Sequence, residues 1–398
     1  MTRKAFYIVL GLFLASSLFS IALEQTTYSL ALVLWLIMIL KGGDEKPGRT
    51  VLDIPLAVFV GVTLLSAAFS DDPAGSLRAT RNYLMIPVIY LVGFSIRKRE
   101  TAKKLGMVFL AAAAVSALYG ILIYILSEGE GGLKRASGTF SMPLTFGGIM
   151  MLACSLFFSL SLKVRNRGCL RALLIAGALL TASALFLSFT RSSWLGMLFS
   201  ALITILLLRR RLILPFVGAI IVLIMILPGE QRNRVTSIWD PDYPSNRQRI
   251  ELIRGGWGIF RDNMLLGTGP GDLAREYEKH MPRGAEVIYG HMHNTFLHIA
   301  ATRGIIGLLA FLWFTVSVYR MLAAALRMDG PPLEKGWVAG SIGAFTGFLI
   351  NGLFEWNFGD AEVITVLYII IGSIILLQSQ FREREKGGRI DFAGNNLS

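Results

Sequence analysis

The chain has 398 residues, 54% of them hydrophobic and only 16% charged, with a formal net charge of +13; soluble domains carry roughly a quarter charged residues. This composition excludes an ordinary soluble domain and marks an all-α integral membrane protein. The positive charge would suit a nucleic-acid binder only if Lys and Arg formed a patch, and instead they alternate from loop to loop.

Apolar stretches close to the ~20 residues needed to cross a bilayer recur along the chain. They predict about twelve transmembrane helices, near 5–22, 27–40, 52–70, 83–96, 105–126, 143–162, 170–189, 192–208, 212–227, 296–319, 337–354 and 361–379. The 83–96 stretch is short for a span. The apolar run broken at Thr190–Ser192 must fold back on itself if both halves cross. The first segment, MTRKAFYIVLGLFLASSLFSIAL, has the basic start and apolar core of a signal peptide but closes an even helix count if retained, and is read as a first helix. With the N-terminus inside, 24 of the 39 basic residues fall in cytoplasmic loops and tails, five in short outer loops and ten between 228 and 303. Short loops set orientation by the positive-inside rule, so both termini are expected in the cytoplasm. Cys154 and Cys169 fall in or beside apolar helices and form no disulfide framework, and no zinc spacing or phosphate loop is present.

The whole chain, 1–398, reads as one polytopic domain with a single large outer loop, 228–298, between the ninth and tenth spans. Within it, PSNRQRIELIRGGWGIFRDN (244–263) predicts a helix, with Ser245 and Gln248 as a capping box. Ile250, Ile253, Trp257, Phe260 and Met264 form an apolar stripe suited to the acyl boundary, and Arg247, Glu251, Arg254 and Arg261 repeat on the other side. Arg249 falls at the stripe's edge and is expected to turn inward toward an anionic partner. GTGPGD (267–272) reads as a turn, since no strand precedes it to make a dinucleotide loop.

All four histidines, His280, His291, His293 and His298, lie in the second half of this loop. His291 and His293 fit a metal only if further ligands join them. They equally fit interfacial hydrogen bonding, or a general base, since an imidazole of pKa about 6.5 is mostly neutral near pH 7. Arg191, between two apolar spans, is either an ion kept for function or a head group that snorkels to the interface. Arg135 in LKRASGTF and Arg303 in ATRG are further outer-side cations. Arginines converging on one cavity would bind a diphosphate bidentately and hold it as a leaving group.

HNTFLHIAATRGIIG (293–307) has His293, Asn294, nine residues, Gly304, two residues and Gly307. This resembles the motif of the bacterial O-antigen ligases, in a superfamily that also holds O-antigen polymerases. The resemblance extends to the multi-pass architecture, the RASGTF loop, the Arg after an SFT-like helix end and the long loop before the His motif. Arg249 precedes MLLGTGPG much as a family Arg precedes a Pro-Leu-Leu-Gly-like turn, with Met264 in place of the proline and Arg254 as a rival. The resemblance implies transfer of a polysaccharide from undecaprenyl diphosphate to a sugar hydroxyl of lipid A–core, at the periplasmic face of the bacterial inner membrane. It implies no cofactor, no metal and no nucleic acid. By the same resemblance His293 is the base and Arg191 with Arg249 or Arg254 the diphosphate binders, supported by His291, Asn294, Arg247 and Arg135. A polymerase is the alternative within the superfamily. A transporter is the alternative outside it, though neither half of the chain repeats the other and few ionisable groups fall mid-helix.

Overall fold

A computed structural model describes residues 3–127, 134–164, 168–226, 229–271, 273–282, 285 and 290–394. Pro228 and Asp272, where the loop opens and the glycine turn ends in the sequence reading, lie outside these. Every described element is helical, and the chain is an all-α integral membrane protein. The first six helices are α1 (Arg3–Ser16), α2 (Ile21–Leu40), α3 (Asp53–Ala68), α4 (Pro73–Ala79), α5 (Pro87–Ser95) and α6 (Arg99–Leu126). Then come α7 (Pro143–Lys163), α8 (Gly168–Leu187), α9 (Arg191–Arg209), α10 (Ile213–Ile226), α11 (Gly229–Thr236), α12 (Pro244–Asp262) and α13 (Leu273–His280). The last three are α14 (Thr295–Arg327), α15 (Pro332–Asn351) and α16 (Ala361–Gly394).

Each predicted span overlaps one of these helices. Among the described residues six, α2, α6, α7, α8, α14 and α16, are long and apolar enough to cross a membrane alone. The 83–96 stretch is not one continuous helix: a 3-10 turn covers Arg81–Met85 and α5 is nine residues long. At 1.5 Å per residue α5 is about 13 Å long, well under the ~30 Å of a hydrocarbon core. Thr190 and Phe189, with φ of +51° at Phe189, make the reversal between α8 and α9 that the sequence required.

At the centre stands α7, with 89% of its apolar window buried against 28% for α2 and α8. It is walled by α8, α9, α15 and α16. Helices in lipid gain little from apolar burial against one another and associate through close backbone packing. Accordingly α9 crosses α15 at Gly196 and Gly347: a Cβ on Gly196 would sit 2.6 Å from the Gly347 carbonyl oxygen. α1 packs into the bundle through Phe6, Leu10 and Phe13.

α14 carries a break in the middle of the predicted motif. Gly304 has φ +65° and ψ −169°, and a Cβ there would meet the Leu265 carbonyl oxygen at 2.1 Å. The break lets the glycine turn dock on it: Thr268 N–H donates to Ala301 O (3.1 Å), Gly269 N–H to Thr302 O (3.0 Å), and Ile305 N–H to Met264 O (2.8 Å). The turn thus fastens the end of α12 to the start of α14.

Candidate active site

α12 starts two residues earlier than the capping box requires. Pro244 takes the first helical position, where its missing N–H costs nothing, and Ser245 makes no cap. Its hydroxyl instead accepts from Arg191 Nη2 at 2.6 Å. The same nitrogen donates to Asn246 Oδ1 (2.7 Å), and Nη1 donates to Ser237 Oγ (2.8 Å). The Arg191 guanidinium also lies over the Tyr243 ring, 5.0 Å from its centroid, as does that of Arg234 at 5.6 Å. Arg191 is 7% exposed, and all these hydrogen-bond partners are neutral. A snorkelling side chain would reach the interface, so that alternative does not describe Arg191.

Two faces of α12 are apolar. Ile253 and Trp257 of the predicted stripe are 47% and 59% exposed. The face that packs inward is Leu252, Gly255, Gly256 and Ile259, against Tyr277, Met292 and Leu297. Arg249 turns in toward the chain between α15 and α16. Its Nε donates to Phe354 O (3.2 Å) and its Nη2 pairs with Glu355 Oε1 (3.0 Å), the anionic partner the stripe's edge demanded.

Glu355 is 8% exposed, and its second oxygen pairs with His293 Nδ1 at 2.8 Å. Burial alone would raise this carboxyl, but the hydrogen bond and charge of His293, with Arg249, outweigh it and hold Glu355 below the ordinary carboxylate value. The carboxylate selects the Nδ1–H tautomer, which makes Nε2 the proton-accepting nitrogen. His293 itself has φ +43°, in the left-handed region, a strain of order 1 kcal/mol or more that surrounding contacts must hold. They do so from both sides. Asn294 caps α14 by accepting from Leu297 N–H (2.9 Å) and donates to Leu353 O (2.9 Å). Thr295 N–H donates to Gly352 O (2.7 Å), and its hydroxyl donates to Glu355 O (3.0 Å). His291 stacks edge-on at 4.2 Å between ring centroids, its basicity lowered by burial and then by His293.

Arg135 completes the cluster, donating to Ser188 O (2.9 Å) and Thr190 Oγ1 (3.1 Å). Burial lowers its basicity first, and the fields of Arg234 and Arg249 lower it further, while Glu355 opposes them. Arg191 likewise lies in the fields of Arg234 and Arg249. Arg135, Arg191, Arg234 and Arg249 therefore share one neighbourhood, and Glu355 is the carboxylate there that pairs with one of them among the described residues. Arg234 Nε is buried there and has no hydrogen-bond partner among the described residues. Buried cations need compensating anions, so this site carries an unmet demand for negative charge beside an imidazole.

Other predicted residues fall elsewhere. Arg247 is exposed and pairs with Glu251 (3.4 Å) within α12. Arg254 is on the exposed side of that helix, and no described contact joins it to the cluster. Arg303 is buried at 3% but donates to Thr63, Tyr83 and Thr302 and lies over aromatic rings, a helix-packing role. His298 stacks on Trp356 at 3.7 Å, and His280 pairs with Asp262 at 2.9 Å. Among the described residues no group of three or more His, Cys, Asp or Glu is placed to hold a metal. The sequence reading missed Arg234, Tyr243 and above all Glu355, whose only signal was an ionisable residue between two apolar spans.

The bundle defines a polytopic membrane protein with a cluster of arginines beside a histidine at one end. Residues 176–312 match the family model described as O-Antigen ligase. The matched segment holds Arg191, Arg234, Arg249, His293, Gly304 and Gly307; Arg135 and Glu355 lie outside it. A chain from a structure described as "Structural coordination of polymerization and crosslinking by a peptidoglycan synthase complex" is 15% identical, with 83% of this chain and 97% of that chain covered and a TM-score of 0.49. That likeness is too distant to carry any inference. No curated protein matches the chain.

Proposed function

We propose that the protein is an O-antigen ligase, transferring polysaccharide from undecaprenyl diphosphate to a sugar hydroxyl of lipid A–core at the periplasmic face of the inner membrane. The observation that carries this reading is the juxtaposition of His293, held by Glu355, with four arginines of which Arg249 pairs with that same carboxylate. His293 Nε2 takes the proton of the acceptor hydroxyl as its oxygen attacks the anomeric carbon. The bond from that carbon to the diphosphate oxygen breaks with its electron pair, and the added negative charge of the lipid diphosphate is met by Arg191, Arg249, Arg135 and Arg234. Attack from the face opposite the leaving group inverts the anomeric carbon. His293 then releases its proton to water.

Glu355 acts through His293 by fixing its tautomer and orientation, and by stabilising the imidazolium once formed. Arg249 reaches the same carboxylate and so couples leaving-group charge to the base. Arg254, which the family pattern left as a rival, has no such link.

The matched superfamily includes polymerases, which transfer from the same donor onto another lipid-linked repeat. The lipid-linked pool in cells lacking the gene separates the two: full-length polymer on undecaprenyl diphosphate is expected for a ligase, and accumulation of single repeats would make the protein a polymerase. An unchanged pool would contradict both.

A further inference from the structure

A large cavity lies at the other end of the bundle. It encloses about 1280 Å³ and is lined by Arg99, Lys103, Lys163, Arg209, Arg210 and Arg211 against one carboxylate, Glu334. α9 runs from Arg191 in the candidate site to Arg209 in the cavity wall, 19 residues or about 28 Å at 1.5 Å per residue, so the two sites are separate. Pockets for small molecules run to roughly 300–1,000 Å³, and this one is larger.

Half of its cations are already engaged. Arg99 pairs with Glu334, Lys103 with Glu100, and Arg209 donates twice to the Leu162 carbonyl, at 3.1 and 2.7 Å. Lys163, Arg210 and Arg211 make no ion pair and no hydrogen bond among the described residues. A second crevice of about 370 Å³ opens from the same wall, sharing Arg99, Lys103, Leu170, Leu333 and Glu334. It continues between helices along Phe109, Leu174, Trp337 and Leu376. At this crevice both amide atoms of Gln380 are buried without a partner among the described residues.

Basic residues at one end of a membrane bundle need no ligand to explain them, because they set orientation. Orientation does not require cations from three helices and a turn to converge on one cavity, nor an apolar crevice continuous with it. A free phosphate would use the cations and leave the crevice empty, and an uncharged lipid would do the reverse. We propose that this end of the bundle binds an anionic diacyl phospholipid, its phosphate among Lys163, Arg210 and Arg211 and an acyl chain in the crevice between α6, α8, α15 and α16. Basic pockets between membrane helices are a recurrent mode of anionic headgroup recognition.

The test is native mass spectrometry of the full-length purified protein with added phosphatidylglycerol, phosphatidylethanolamine or inorganic phosphate. Phosphatidylglycerol should be retained in preference to phosphatidylethanolamine, and inorganic phosphate should not displace it. Each charge near a membrane surface contributes roughly fivefold, so the triple variant Lys163→Gln, Arg210→Gln, Arg211→Gln should bind roughly 10²-fold more weakly, and Arg211→Gln alone roughly fivefold. A control with the same charge change elsewhere, Arg320→Gln, Arg382→Gln, Arg384→Gln, should bind as wild type. Leu174→Trp, which fills the crevice, should weaken phosphatidylglycerol binding without touching the cations. Thermal unfolding midpoints matched to wild type certify each variant as folded. Equal loss in the control would reduce the feature to topological charge, and equal retention of the two lipids, or displacement by inorganic phosphate, would overturn the proposal.

Discussion

Replacing Glu355 by glutamine tests the arrangement more sharply than any larger change. Glu355 accepts on both oxygens, from Arg249 at 3.0 Å and from His293 Nδ1 at 2.8 Å. The glutamine side chain has the same shape but one oxygen and one amide nitrogen, so it can satisfy only one of them. With its oxygen toward His293, its N–H groups point at the Arg249 guanidinium, donor against donor. With its oxygen toward Arg249, it donates to Nδ1 and drives the imidazole proton to Nε2, the nitrogen that has to accept one. The first outcome unseats Arg249 and the second disables the base, whose contribution is typically about 10²–10⁴-fold, or about 3–5 kcal/mol at 1.36 kcal/mol per tenfold. Transfer of lipid-linked polysaccharide by purified Glu355→Gln, with membrane insertion and unfolding midpoint recorded, should fall by that range. Because residues acting as a unit are not additive, Glu355→Gln should cost nothing further in a His293→Ala background. Near-normal transfer by the single variant, or full additivity in the double, would refute the coupling.

Arg191→Lys keeps the charge but cannot span Ser237, Ser245 and Asn246 with a planar fork. Charge-assisted hydrogen bonds contribute about 1.5–3 kcal/mol each, so a loss of about 10–100-fold in transfer is expected, and wild-type rates would move the diphosphate elsewhere. Arg249→Lys should fail where Arg254→Lys works, since only Arg249 reaches Glu355; parallel kinetics of the two variants decide this, and the reverse order would restore Arg254 as the binder. The pH dependence of stability follows from Glu355, whose folded pKa lies below the ordinary 4.5. A carboxyl with a depressed folded pKa contributes stability that is full above 4.5 and lost as pH falls through the lower folded value. The gap in unfolding midpoint between wild type and Glu355→Gln should therefore be constant at neutral pH and close only below about pH 4.5; closure at higher pH would contradict the depressed value.

Helix positions were legible because apolar length largely dictates them in lipid, and all twelve predicted stretches overlap helices. Hydropathy does not register a Pro-started short helix such as α5, so the 83–96 stretch read as one element. The inward face of α12 was invisible for a related reason: Gly255 and Gly256 contribute closeness, not hydrophobicity, and periodicity counts side chains. Ser245 looked like a cap because Gln248 stands three residues on, but Pro244 and Arg191 decide its use. His293 and Arg249 were found through a local motif and a misfit on an apolar stripe. Glu355 stands 62 residues from His293, and no spacing rule connects them. Only the cost of a buried carboxylate between apolar spans marked it, and only the fold supplied its two partners.

The central claim is that His293 removes the acceptor proton in a transfer from a lipid diphosphate. The direct measurement is transfer in reconstituted vesicles, from undecaprenyl-diphosphate-linked polysaccharide to lipid A–core, by wild type and His293→Ala matched for insertion and unfolding midpoint. Wild type should transfer, and His293→Ala should lose about 10²–10⁴-fold while still binding the donor. Transfer by His293→Ala at near the wild-type rate, or no transfer by wild type with both substrates present, would contradict the account.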